Sequence, residues 1–86
     1  MPDSKDSVVR VTVIGREGCH LCADAQALVA QICAETSTDF EVLSIDDDPE
    51  LADLYWEKIP VILVDGEMFD FWRVNEMRLR DKLKSA

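Results

Sequence analysis

Short apolar runs of strand length alternate along this chain with longer stretches in which apolar residues recur at helical spacing. Val8–Ile14 (VVRVTVI) is β-branched almost throughout. A run that short and that apolar predicts a strand buried on both faces, as in the middle of a parallel sheet. Gly15–Gly18 reads as a loop by its glycines. From Cys19 to about Thr36 the period becomes helical, with Leu21, Ala25, Leu28, Val29 and Ile32 along one face and Asp24, Gln31 and Glu35 opposite. Phe40–Ile45 predicts a second strand. Asp48 at an N-cap and Pro49 at the first helical position predict a short helix, with Leu51, Leu54 and Tyr55 on its buried side. Ile59-Pro60 ends it. Val61–Val64 and Glu67–Phe71 are the third and fourth strands, joined by the two-residue hairpin signal Asp65-Gly66. Val74–Lys84 is the last helix, with Met77, Leu79 and Leu83 as its apolar contacts.

The order is βαβαββα. The first two strands are joined through a helix, so they are expected to be parallel with a right-handed crossover. The last two form an antiparallel hairpin. The predicted fold is α/β: a four-stranded mixed sheet with helices packed on both faces. Residues 1–7 are polar and read as a disordered N-terminal tail, which leaves 8–86 as a single domain. A chain of 86 residues buries only about 60–65 % of its unfolded surface, so a large internal cavity for a bulky cofactor is not expected.

Composition narrows the function. With 48 % apolar residues the chain is too hydrophobic for disorder. A net charge of −9 argues against generic affinity for nucleic acid or anionic membranes. The charge is uneven: residues 39–58 carry eight acids and one base, and residues 73–86 carry five bases and two acids. This reads as a solvated acidic face and a basic helix end that suits the helix dipole. No signal-peptide pattern is visible, and no run approaches the roughly 18–20 apolar residues of a membrane span. The expectation is a monomeric cytoplasmic protein, whose thiols are kept reduced. Three cysteines are in any case an odd number for a disulfide framework.

Cys19-His20-Leu21-Cys22 carries the strongest chemical signal. It follows a buried strand and opens a helix in the first βαβ unit, the context in which C-x-x-C reads as a redox motif. Three residues along a first helical turn bring both side chains to one edge, within disulfide reach. Unpaired N–H groups and the helix dipole favour a thiolate at Cys19, while Cys22, one turn in, is more buried and suits a resolving role. Other readings of the same residues are a pair of inert helical cysteines, a zinc site, or an iron–sulfur cluster shared between two chains. Zinc would need four ligands, and only His20 and Cys33 remain as further soft candidates. His20 is the candidate residue for tuning the acidity of the neighbouring thiol, as an imidazolium beside a thiolate; Glu17 and Asp24 push the other way. Cys33 lies about three turns, roughly 16 Å, along the helix from Cys22, too far for a disulfide, and is expected to pack. Trp56 and Trp72 are expected in core or rim packing, and either could floor a groove. Ile59-Pro60, from the residues alone, is a turn breaker before a strand that lies beside the first.

Taken in order, VTVIGREGCHLC, SIDDDPELADLY and KIPVILVDGE resemble the glutaredoxin-like branch of the thioredoxin superfamily, over about Val8–Leu83. The likeness is to small bacterial proteins with a G-C-H-L-C active site. The resemblance implies that Cys19 is the attacking cysteine and Cys22 the resolving one. It implies that Pro60 is a cis-proline facing the disulfide, and that the backbone of Ile59 pairs with an extended substrate segment. Three departures stand out. His20-Leu21 replaces the usual Pro-Tyr, and Lys58-Ile59-Pro60 replaces Thr-Val-Pro. Phe71-Trp72-Arg73-Val74-Asn75 has no counterpart of the Gly-Gly pair that holds glutathione. Weak use of glutathione is therefore expected, with Arg16 and Arg73 as candidates to hold an anionic thiol.

The expected function is a thiol–disulfide oxidoreductase that needs no bound cofactor. Its partners are a disulfide-bearing protein or small thiol substrate, and a reductase or low-molecular-weight thiol as electron donor. The alternative is a non-catalytic module on the same fold, binding an iron–sulfur cluster or a protein partner.

Overall fold

The computed structural model describes residues 9–84; the expected tail at 1–7 lies outside them, as does Val8. Strand β1 (Val11–Gly15) leads into helix α1 (His20–Glu35) and strand β2 (Phe40–Ser44). A single 3₁₀ turn (Ile45–Asp47) precedes helix α2 (Pro49–Tyr55). Strands β3 (Val61–Val64) and β4 (Glu67–Phe71) and helix α3 (Glu76–Lys84) follow. The sheet order is β2-β1-β3-β4. β1 and β2 are parallel; β1–β3 and β3–β4 are antiparallel. The fold is α/β and thioredoxin-like, with helices on both faces.

Every residue of β1 is buried, as its β-branched composition predicts for a central strand. Its alternate residues go to different cores. Val11 and Val13 join Ile62, Val64, Leu79, Leu83 and the α1 residues Ala25, Val29, Ile32 and Cys33 on one face. Ile14 joins Val61 and Ile45 on the other, where Leu51, Ala52, Tyr55 and Ile59 cover them. Burying one such aliphatic side chain contributes about 1.5–3 kcal/mol, so the first face, with more of them, holds the fold more strongly.

Local chemistry sets the ends. Asp48 caps α2 by accepting the Glu50 N–H at 2.9 Å, with Pro49 at the first helical position. Asp65 (φ 54) and Gly66 (φ 86) both have positive φ, the geometry of the tightest hairpin turn. Arg10 ties that turn down through a two-pronged pair with Asp65, at 3.0 and 2.9 Å.

Several sequence expectations shift. β1 begins at Val11 rather than Val8, and it ends at Gly15, which is strand and not loop. β2 stops at Ser44, because Ser44 accepts the Asp46 N–H and starts the 3₁₀ turn at Ile45. α3 starts at Glu76 rather than Val74: the Asn75 side chain accepts the Arg78 N–H at 3.0 Å and caps it. Leu54 and Met77 are exposed, at 64 % and 75 %. At about 100° per residue, Met77 falls on the far side of α3 from Leu79 and Leu83, and Leu54 lies well off the Leu51–Ala52–Tyr55 side of α2. Trp56 and Trp72 are exposed too.

Candidate active site

The C-terminal end of β1 and the N-terminal end of α1 meet at the C-x-x-C segment. Cys19 is the N-cap of α1, in extended conformation, and its sulfur accepts the backbone N–H of Cys22 at 3.2 Å. The two cysteines are thus brought together in one turn, as free thiols, with a helix-end N–H already directed at the outer sulfur. Such a donor stabilises negative charge on its acceptor.

The two positions are unequal. The buried stripe of α1 runs through Cys22, Ala25, Val29, Ile32 and Cys33; Ala25, Val29 and Ile32 are where the sequence places them, and at the start of the helix Cys22 takes the buried place expected of Leu21. Cys22 is therefore buried, at 6 % exposure, while Leu21 is half exposed; Cys19 is partly exposed. Burial pushes the Cys22 thiol up to about 11, helped by the hydrogen bond and charge of Cys19. The Arg16 backbone amide and guanidinium charge pull weakly the other way.

Gly15 supports this arrangement. A Cβ at that position would lie 2.8 Å from the Cys22 sulfur and 2.9 Å from its Cβ. The sequence reading missed this role, because a glycine closing an apolar run looks like the start of a loop.

Pro60 follows a cis peptide bond from Ile59. β1 and β3 pair Ile14 with Val61, so one further step of that register sets Pro60 across from Gly15, the residue that lies against Cys22. The Ile59 side chain packs inward against the α2 cluster. The segment is clamped from β4: the Trp72 N–H donates to the carbonyls of Pro60 (2.8 Å) and Lys58 (3.3 Å), and its indole N–H to that of Glu57 (2.9 Å). Trp72 sits at φ 65, a conformation that costs a bulky residue on the order of 1–3 kcal/mol.

Two hollows flank the first turns of α1. One, of about 260 Å³, is lined by Gly15, Arg16, Glu17, Gly18, both motif cysteines, Gln26 and the inner face of β2 at Val42 and Ser44. The other, of about 300 Å³, lies between Leu21, Asp24 and Leu28 of α1 and Trp72, Arg73 and Val74. The two arginines singled out in the sequence thus line different hollows. Arg16 is beside the dithiol, and Arg73 is across the groove from Leu21. His20 is exposed at the start of α1 and lines neither. Cys33 is buried in the main core, with burial as the main cause of a raised thiol pKa. Among the described residues no group of three or more His, Cys, Asp or Glu converges as a metal site would require, and no helix is long and apolar enough to cross a membrane.

Known proteins share this fold. A structural-genomics target protein from X. campestris, XcR50, is 34 % identical over 88 % of this chain and 97 % of its own, with a TM-score of 0.71. Protein Ne2328 from Nitrosomonas europaea is 26 % identical over 95 % of this chain and 98 % of its own, with a TM-score of 0.72. Protein Rv0508 of Mycobacterium tuberculosis, described as uncharacterized, is 29 % identical over 76 residues, covering 83 % of this chain and 78 % of its own. Fasciola hepatica thioredoxin, at 22 % identity over 94 % of this chain and 85 % of its own, shares the fold with a TM-score of 0.63. The family described as glutaredoxin-like domain (DUF836) matches residues 10–84, from before β1 to the end of α3, and the chain belongs to that family.

Proposed function

We propose that the protein is a thiol–disulfide oxidoreductase in which Cys19 attacks and Cys22 resolves. The observation that carries this reading is the Cys22 N–H directed at the Cys19 sulfur at 3.2 Å, on a helix end where one cysteine is reachable and the other buried. Cys19, as thiolate, forms a bond to one sulfur of a substrate disulfide, and the other sulfur leaves with the electron pair. Cys22 then loses its proton to solvent and bonds to Cys19, and the substrate's remaining sulfur departs as thiolate. The dithiol has given up two electrons and two protons, and a dithiol reductase or a low-molecular-weight thiol restores it.

The substrate is a disulfide-bearing protein or a small mixed disulfide, met at the cis-Pro60 strand end. An extended substrate backbone there can pair with that of Ile59, and Arg16 and Arg73 favour anionic groups on either flank. Trp72, rather than a glycine, stands at the β4 side of the site. That is the basis for expecting weak turnover with glutathione and faster turnover with a thioredoxin-reductase-type donor.

Mild oxidation followed by intact-mass and peptide analysis tests the reading. A loss of about 2 Da confined to the peptide holding Cys19 and Cys22, reversed by a dithiol, is the expected result. Thiols that stay reduced under conditions that oxidise a C-x-x-C reductase would contradict it.

A further inference from the structure

We propose that Gly15 is a positioning residue for Cys22: the bare Cα at the end of β1 is the seat of the buried sulfur and sets how fast Cys22 closes on Cys19. The inference rests on the thiol–disulfide reading above. Val11 and Val13 send side chains into the core under α1, and Gly15 is the next residue on that face of the strand. There the side chain comes from the helix instead. Within 4 Å a Cβ on residue 15 would meet only the Cys22 sulfur, at 2.8 Å, and the Cys22 Cβ, at 2.9 Å, beyond its own chain neighbours.

The clash has few ways to relax. A rotamer change can move the Cys22 sulfur, but the Cβ moves only with the helix backbone. β1 is fixed from both sides, by the pairing of Gly15 with Ser44 and of Ile14 with Val61. α1 is anchored further along by Val29, Ile32 and Cys33 in the core. An alanine at 15 therefore lifts the first turn of α1, carrying the Cys22 sulfur away from the strand end and from the Arg16 amide beside it.

The two chemical steps feel this differently. Attack by Cys19 needs a reachable sulfur at the helix end, which a lifted turn retains. Resolution needs the Cys22 sulfur in line with the bond between Cys19 and the substrate sulfur. A misplacement of about 1 Å in such a geometry can cost on the order of a hundredfold in rate.

The experiment uses the chromogenic symmetric disulfide of nitrothiobenzoate in single turnover. The first coloured thiolate reports attack by Cys19, and the second reports closure by Cys22. Gly15→Ala is expected to slow the second phase by at least about tenfold and the first by less than about twofold. Equal slowing of both phases, or an unchanged second phase, overturns the inference. A wild-type protein that releases no coloured thiolate from Cys19 overturns the oxidoreductase reading instead. Urea unfolding reads the seat without any chemistry and covers a poorly folding variant. The loss of stability from Gly15→Ala is expected to shrink by more than half when Cys22→Gly clears both contacts. A loss that is the same in both backgrounds overturns the seat.

Discussion

The backbone N–H of Trp72 donates to the carbonyl of Pro60 at 2.8 Å, which ties the end of β4 to the residue across from Gly15. Trp72 holds this position at φ 65, where an L side chain is disfavoured by about 1–2 kcal/mol. Glycine carries no such cost. Trp72→Gly is therefore expected to destabilise the protein less than Trp72→Ala, by about 1 kcal/mol on the urea scale, although both delete the indole. Trp72→Phe removes the bond to the Glu57 carbonyl and is expected to cost about 1 kcal/mol. Equal losses for the glycine and alanine variants would show that the backbone there is unstrained.

Cys22 gives a dependence on pH. Its thiol is held up to about 11 by burial first and by Cys19 second, above an unfolded value of about 8.5. Between those values the unfolded chain has lost the proton and the native protein keeps it, so rising pH favours unfolding. The contribution of the neutral thiol is complete below the unfolded value and is lost as pH climbs to about 11. Cys33 acts in the same direction, so the comparison is with Cys22→Ala. The urea midpoint of the wild type is expected to fall more steeply above about pH 9 than that of the variant. Parallel curves would mean that Cys22 titrates like an exposed thiol.

Cys33 sits at 1 % exposure among Val29, Ile32 and Leu83, far along α1 from the motif. Cys33→Ala removes one buried sulfur and is expected to cost about 1 kcal/mol of stability, while disulfide-reducing activity stays within about twofold. A disulfide joining Cys33 to Cys19 or Cys22 would contradict this placement.

Much of this was legible in the sequence because local signals and tertiary packing agree. The β-branched run of β1, the Asp48-Pro49 start of α2 and the Asp65-Gly66 turn each carry their own backbone preference, and each is found where it was expected, within a few residues. The C-x-x-C pair at a helix start was equally plain. What escaped depends on contacts between elements. That Cys22 rather than Leu21 is buried in the first turn of α1 is set by how the helix lies on β1. Gly15 looked like a loop residue because the atom that fills its place belongs to a side chain seven positions on. Val42 is 45 % exposed although it faces the α1 side of the sheet, because a hollow opens there between β2 and the first turns of α1. Trp72 takes φ 65 because the carbonyls of Lys58 and Pro60 hold its amide, and no local propensity calls for that.

The assignment of the two thiols is tested most directly by trapping. Cys19→Ser and Cys22→Ser are each mixed with an activated disulfide, and peptide mass spectrometry locates the adduct. Cys22→Ser is expected to attack and stall as a stable mixed disulfide on Cys19. Cys19→Ser is expected to leave Cys22 unmodified near neutral pH, since burial, the main cause of its raised thiol pKa, remains in the variant and keeps the sulfur protonated and out of reach. A stable adduct on Cys22 in the Cys19→Ser protein, with Cys19 unmodified in the Cys22→Ser protein, would contradict the account.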